Sequence, residues 1–287
     1  RKEYGITVDA ACFGIAGVIQ DHCQCVEPTN LSVKLSKERI LDETPLDDVV
    51  IMNDFEAVAT GIDYVSAQDV VCVRSGDGLK KANKAALGAG TGLGKVGMFW
   101  HDATSCYLPI PSEGGHADFP IYNEIDFALA SFIHEHVDDY RPVSWEDVLS
   151  GSGIKYIYHF LATQKSYPET EISKEIASAD FNPDKISQYA DKDQRARDVF
   201  ALYAQWYGRC AKNWALDMLA FNGIYIAGGI AAKNISMFKT DTFIQAFNYA
   251  REHEAFLRNT PLYVIADYNV SLYGAAAFYK LKRNNYI

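Results

Sequence analysis

The sequence predicts an α/β protein of two lobes around a central cleft. Three observations carry this reading. Short apolar, partly β-branched runs alternate with helical stripes along the chain. Four well-separated motifs rich in glycine and carboxylates follow or flank such runs, around Asn53, Gly90, Glu113 and Gly228. The 287 residues suffice for one large domain or two modest ones facing a cleft.

Taken in order, residues 4–17 are apolar and closed by Gly14 and Gly17, as for a buried strand entering a loop. Residues 18–30 read as an edge strand turning at Pro28-Thr29-Asn30. Residues 36–42 predict a short helix capped by Ser36. The run 49–52 predicts a strand ending in Asn53-Asp54, with a helix from Glu56. This βα beginning predicts parallel pairing. After a strand at 70–73 and a polar loop at 75–81 comes a strand ending in Gly88-Ala89-Gly90-Thr91-Gly92-Leu93-Gly94, then strands at 96–100 and 107–110.

From Glu124 the period changes to three and four: Ile125, Ala128, Leu129, Phe132, Ile133 and His136 form one stripe. Ser144-Trp145-Glu146-Asp147 resembles a capping box, and its helix is expected to stop at Gly151-Ser152-Gly153. The longest helical signal covers 194–219, where Val199, Phe200, Tyr203, Tyr207, Cys210, Trp214 and Met218 read as core. A strand at 223–227 ends in Gly228-Gly229, and another follows at 261–266. The last helix, 271–282, has a Gly274 to Ala277 face small enough for close packing. No internal repeat or low-complexity linker interrupts the chain.

A charged fraction of 22% and an apolar fraction of 48% are those of an ordinary globular protein. The net charge of −10 offers no basic footprint, so neither nucleic acid nor an anionic membrane is an expected partner. No apolar run approaches the ~18 residues of a membrane span. The six cysteines are scattered, which fits a reduced, cytoplasmic chain. His22-Cys23-x-Cys25 lacks a second ligand pair, and no structural metal is expected there.

The stretch from Gly88 to Gly94 has the composition of a phosphate cradle, because glycine lets backbone N–H groups approach an anion and tolerates positive φ. It is not a P-loop, since Lys95 directly follows the last glycine without a Ser or Thr after it. Nor is it a dinucleotide fingerprint. Neither glycine frame is complete, and residues 96–100 continue as a strand, so the loop reads as a hairpin turn. By itself it fits a ligand-free turn as well as a cradle.

Together, Asn53-Asp54-Phe55-Glu56-Ala57, the Gly88 to Gly94 loop, Glu113-Gly114-Gly115-His116, the stretch from Glu146 to Gly151, and Ala227-Gly228-Gly229-Ile230 closely resemble the bacterial-type glucokinases. These are ATP-dependent hexose kinases of the actin-like sugar-kinase fold, and the motifs span the chain in the family's order. The resemblance implies a small lobe of 1–64 plus 271–287, a large lobe of 65–270, and a homodimer. It also implies transfer from ATP with Mg²⁺ to the 6-hydroxyl of glucose. The family's early Asp-x-Gly-Gly-Thr loop has no counterpart in this sequence, and the expectation is that its segment lies upstream of Arg1.

Phosphoryl transfer needs an oriented hydroxyl, a proton acceptor and stabilised phosphoryl charge. A carboxylate at the end of a buried strand suits the second task, and the resemblance points to the same Asp54 as general base. The competing reading makes Asp54 a helix cap. Asn53 adds a donor and acceptor suited to a polyol. Glu113, His116 and Glu146 match the family's sugar-binding positions, with Asn30 as a weaker candidate. Thr91 and the backbone of Gly90 and Gly92 are expected to hold nucleotide phosphates, and Gly228 and Gly229 to make room for adenosine. The alternatives are a kinase for another hexose and a sugar sensor that has lost transfer.

Overall fold

A computed structural model describes residues 5, 7–20, 25–26, 28, 34–137, 141–164 and 167–284. Asn30 and Cys23 lie outside the described residues. The first part contains β1 (Ala10–Ile15), β2 (Ile19–Gln20), β3 (Cys25–Val26), β4 (Leu35–Ser36), α1 (Lys37–Glu43), β5 (Asp48–Asn53) and α2 (Asp54–Gly61). β1 pairs in parallel with β5, as the βα pattern predicted, and β2, β3 and β4 form a separate antiparallel sheet. Residues 18–30 therefore do not make one edge strand. Ile19 pairs with Val26, so the stretch folds back on itself. Ser36 caps α1 as expected, its hydroxyl accepting from Arg39 N.

Then follow β6 (Val70–Arg74), β7 (Lys84–Ala89), β8 (Leu93–His101) and β9 (Cys106–Ser112). The helical stretch comprises α3 (Glu124–His136), α4 (Trp145–Val148), α5 (Gly151–Gln164), α6 (Glu171–Ser178), α7 (Pro183–Gln188) and α8 (Gln194–Met218). The chain closes with β10 (Ile224–Ala227), α9 (Gly229–Lys233), α10 (Asp241–Asn248), α11 (Glu254–Asn259), β11 (Leu262–Ile265) and α12 (Val270–Arg283). The described strands of this larger part form one sheet in the order β6-β11-β10-β7-β8-β9, with β7, β10 and β11 mutually parallel.

The helix starting with the Ser144 box does stop early, but Gly151 to Gly153 do not end the helical region: they open α5. A Cβ on Gly153 would stand 2.1 Å from Val148 O, so this glycine serves the close approach of consecutive helices. Read as punctuation, the pair hid α5, and neither α6 nor α7 was anticipated.

Burial explains the rest. One face of the larger sheet is covered by α8, whose Tyr203, Trp206 and Tyr207 are fully buried, and Trp214 Nε1 donates to Ala86 O (3.1 Å) and Val96 O (3.2 Å). On the other face α2 and the residue that follows it bring Phe55, Val58, Ala59 and Ile62 against Ala86, Val96 and Met98. Helix α12 crosses α2 almost backbone to backbone: a Cβ on Gly274 would lie 1.7 Å from Ala57 O, and one on Gly61 1.9 Å from Val270 O. That crossing is what the small face of the last helix was for. Because α12 also packs on β1, the α2–α12 pair joins the two-stranded sheet to the larger one. The carboxyl ends of β5, β7 and β10 consequently open onto one crevice, where α/β sheets place ligands.

Candidate active site

That crevice is a cleft of about 430 Å³ lined by Gly17, Asn53, Asp54, the turn from Gly88 to Gly94, Ser112, Glu113, His116, Glu146 and Gly228. Residues far apart in sequence meet here because each sits at a strand end or the turn just after it.

At the end of β5, Asn53 is the cap of α2. Its Oδ1 accepts from Phe55 N (2.8 Å) and Glu56 N (3.3 Å), and Glu56 Oε2 accepts from Asn53 N (3.1 Å), completing a capping box. Its Nδ2 donates to Gly17 O (3.2 Å). Asn53 therefore spends its acceptor on the helix, and a polyol is left at most one amide hydrogen. The same arrangement frees Asp54 from capping α2 at the Asn53 position. Its Oδ1 accepts from the adjacent Phe55 N (2.9 Å), and no cation among the described residues contributes to its environment. Burial pushes its carboxyl above the ordinary aspartate range, offset in part by those backbone bonds.

Across the cleft, Glu113 and His116 bracket a single tight turn. Ser112 Oγ accepts from Gly114 N (2.9 Å), and a Cβ on Gly115 would stand 1.9 Å from Leu93 O. The two glycines let the turn press onto β8 and aim both side chains into the cleft. His116 Nε2 lies 3.9 Å from Glu113 Oε2, and its Nδ1 3.8 Å from Glu146 Oε1. Glu146, in the first turn of α4, is fixed by Leu93 N, which donates to its Oε2 (2.8 Å). Burial raises the Glu113 carboxyl; His116 works against this, while the Asp54 and Glu146 charges add to it. Two carboxylates flanking one imidazole suit a ligand of many hydroxyls, since each oxygen can accept from an O–H.

The glycine turn is the hairpin expected, with Ala89 opposite Leu93. Its glycines serve different ends. Gly92 stands where a Cβ would be 2.4 Å from Glu146 Oε2, and Gly94 where one would strike the Phe55 ring. Neither they nor Gly90 have positive φ, so what requires glycine at 92 and 94 is space. The Gly90 N–H donates to Gly92 O (2.8 Å) inside the turn and is not spare for an anion. A Cβ on Gly90 would meet nothing within 4 Å, and Thr91 is exposed, so the turn has an open face. Gly228, at φ +91, packs a would-be Cβ 2.6 Å from Ala89 O and lines the cleft. Gly229 is not among the lining residues; the nearest atom to a Cβ there is a Tyr268 ring carbon at 3.9 Å.

The family model described as Glucokinase matches residues 2–282. The chain belongs to the glucokinase family. A glucokinase of Nostoc sp. strain PCC 7120 is 34% identical over 281 residues, covering 93% of this chain and 81% of the relative. Among solved structures, glucokinase from Balamuthia mandrillaris in complex with glucose superposes with a TM-score of 0.78 at 20% identity, covering 96% of this chain and 79% of that one. A ROK family glucokinase from Streptomyces griseus, in complex with glucose and AMPPNP, gives 0.63 at 17%, covering 96% and 82%. At these identities the structures speak to fold, which is that of the actin-like sugar kinases.

Within this glucokinase-family cleft, sequence reasoning missed Gly17, Ser112 and Phe55. Ser112 directly precedes Glu113, and its Ser-x-Gly spacing was a usable signal for the turn it makes with Gly114 N. Gly17 and the Phe55 ring carry no signal apart from their three-dimensional neighbours.

Proposed function

We propose that this chain transfers the γ-phosphoryl group of ATP to the 6-hydroxyl of glucose. The observation that carries the proposal is Asp54: a carboxylate with raised proton affinity and no cationic partner among the described residues, in the same cleft as the Glu113–His116–Glu146 cluster and the open glycine turn. Membership of a family of glucose kinases supports the substrate.

In this reading Glu113, His116 and Glu146 accept from and orient the sugar hydroxyls, while Asp54 takes the 6-hydroxyl proton as the oxygen attacks phosphorus. Thr91, with the N–H groups around Gly92, faces the phosphates, and Gly228 leaves room for the nucleoside. No group of three or more His, Cys, Asp or Glu able to hold a metal occurs among the described residues. Mg²⁺ would arrive with ATP, held largely by the phosphates and water, and would supply neutralisation of phosphate charge. The lobe division at 64/65, with 271–287 returning to the smaller lobe, belongs to the same proposal and is supported by α12 packing on α2 and β1. A homodimer and a cytoplasmic location are further parts of it. No helix among the described residues is long and apolar enough to cross a membrane.

The test is ADP formation by the full-length protein with glucose, mannose, fructose and N-acetylglucosamine, alongside calorimetric glucose binding. The highest kcat/KM is expected for glucose. Tight glucose binding without ADP formation would make the protein a sensor.

A further inference from the structure

The chain leaving His116 runs to a second cavity, also of about 430 Å³, whose lining includes Tyr122, Arg209, Lys212, Thr242, Gln245 and Tyr249. Its cations are unequal. Arg209 is ion-paired, donating from Nη1 to Asp126 Oδ2 (2.7 Å) and from Nη2 to Pro120 O (2.6 Å). Lys212, one turn later on α8, has Tyr249 O at 3.3 Å and no carboxylate within ion-pair distance among the described residues. Its half-buried ammonium is disfavoured by burial and by the neighbouring Arg209. An anion would relieve both. Thr242 and Gln245 on α10 supply neutral donors and acceptors, and Tyr122 and Tyr249, hydroxyl to hydroxyl at 3.3 Å, form an exposed aromatic rim. A lone cation beside amides and hydroxyls suits an anion that carries several hydroxyls.

The cavity is mechanically tied to the cleft. Arg209 grips Pro120 O and lies over the Phe119 ring (5.5 Å), and that ring meets Trp145 edge-on (5.2 Å). Trp145 directly precedes Glu146. Backbone bonds from Phe119 N to Val143 O (2.7 Å) and from Trp145 N to Ala117 O (2.9 Å) lash the two segments together. A ligand that shifts Arg209 or Tyr122 therefore acts on a strap whose far ends carry His116 and Glu146.

We propose that this cavity is an effector site for a sugar phosphate, with the phosphate on Lys212 and the hydroxyls toward Thr242 and Gln245, and that its occupancy alters glucose affinity in the cleft. The choice of a sugar phosphate rests on the reaction proposed above, of which it is the product class.

The experiment is calorimetric titration of glucose 6-phosphate into full-length protein saturated with glucose, so that the cleft is already filled, for wild type and Lys212→Met, with inorganic phosphate as a second ligand. Expected is one bound molecule per chain, about tenfold weaker in Lys212→Met, with inorganic phosphate weaker than the sugar phosphate by a similar factor. In steady state, the sugar phosphate should move the wild-type glucose KM by about fivefold more than that of Lys212→Met, with the two proteins equal in its absence. The proposal is overturned by binding indifferent to Lys212, by inorganic phosphate binding as tightly, or by Lys212-dependent binding that leaves the glucose KM unmoved. If wild type forms no ADP, the reaction assignment fails, while the calorimetry still reads the cavity.

Discussion

Two aspartates, each in the first turn of an asparagine-capped helix, have opposite fates. Asp54 lies in Asn53-Asp54-Phe55-Glu56-Ala57 and Asp126 in Asn123-Glu124-Ile125-Asp126-Phe127-Ala128. Asp126 is completely buried, yet every direction is answered: Trp206 Nε1 (2.7 Å), Arg209 Nη1 (2.7 Å) and Tyr122 N (2.8 Å) all donate to it. Asp54 is less buried, yet its hydrogen bonds come from backbone N–H groups and its carboxyl is raised by desolvation. Burial with partners makes a carboxylate structural, and burial that leaves capacity unspent makes it reactive.

The sharpest way to break that contrast is Asp54→Asn, which should lower kcat by ~10²- to 10⁴-fold while leaving glucose binding and thermal unfolding nearly unchanged. The amide can still hydrogen-bond the hydroxyl but cannot take its proton. Near-normal turnover would remove the general base. The reciprocal variant, Asp126→Ala, should cost about 3–5 kcal/mol of stability in denaturant titration, because Arg209 is left buried and unpaired. Protein that remains folded should keep its turnover; a loss of kcat without a loss of stability would erase the distinction.

Gly92→Ala sharpens the comparison from the sugar side. A methyl 2.4 Å from Glu146 Oε2 must displace that carboxylate, so the glucose KM should rise by roughly tenfold or more with a smaller change in kcat. An unchanged KM would dissociate Glu146 from sugar binding. Removing the two caps should be more even: Asn53→Ala and Asn123→Ala should each cost ~1 kcal/mol, but only the first should also perturb kinetics, through Asp54 and Gly17.

The smallest expected effect is in pH dependence. Because the folded Asp54 carboxyl is raised, between the ordinary aspartate range and its folded value the native state holds a proton that the unfolded chain has released. This group therefore subtracts stability as pH rises through that window. The base works only once deprotonated, so the acid limb of kcat/KM should lie above that of an unperturbed aspartate. In pH–rate profiles, an acid limb at the ordinary aspartate position would contradict the burial seen here.

Much of this was legible in the residues. The apolar runs became β5, β7 and β10, the aromatic stripe of α8 became core, and Ser36 and Ser144 became caps, because period and capping are properties of a few consecutive residues. The same locality misled where a glycine served a distant neighbour. Gly153 looked like a helix stop and is a helix contact, while Gly92 and Gly94, read only as parts of a phosphate cradle, also give room to Glu146 and Phe55. Sequence by itself determined the fold class and the strand ends, and it named the side chains to which the chemistry is proposed to belong. Tertiary structure alone decided that Asn53 caps while Asp54 stays open, that Gly90 spends its N–H within the turn, and that Asp126 is silenced by Trp206 and Arg209. Hydrogen-bond satisfaction depends on groups brought together from far along the chain, and no local pattern encodes which donors will arrive.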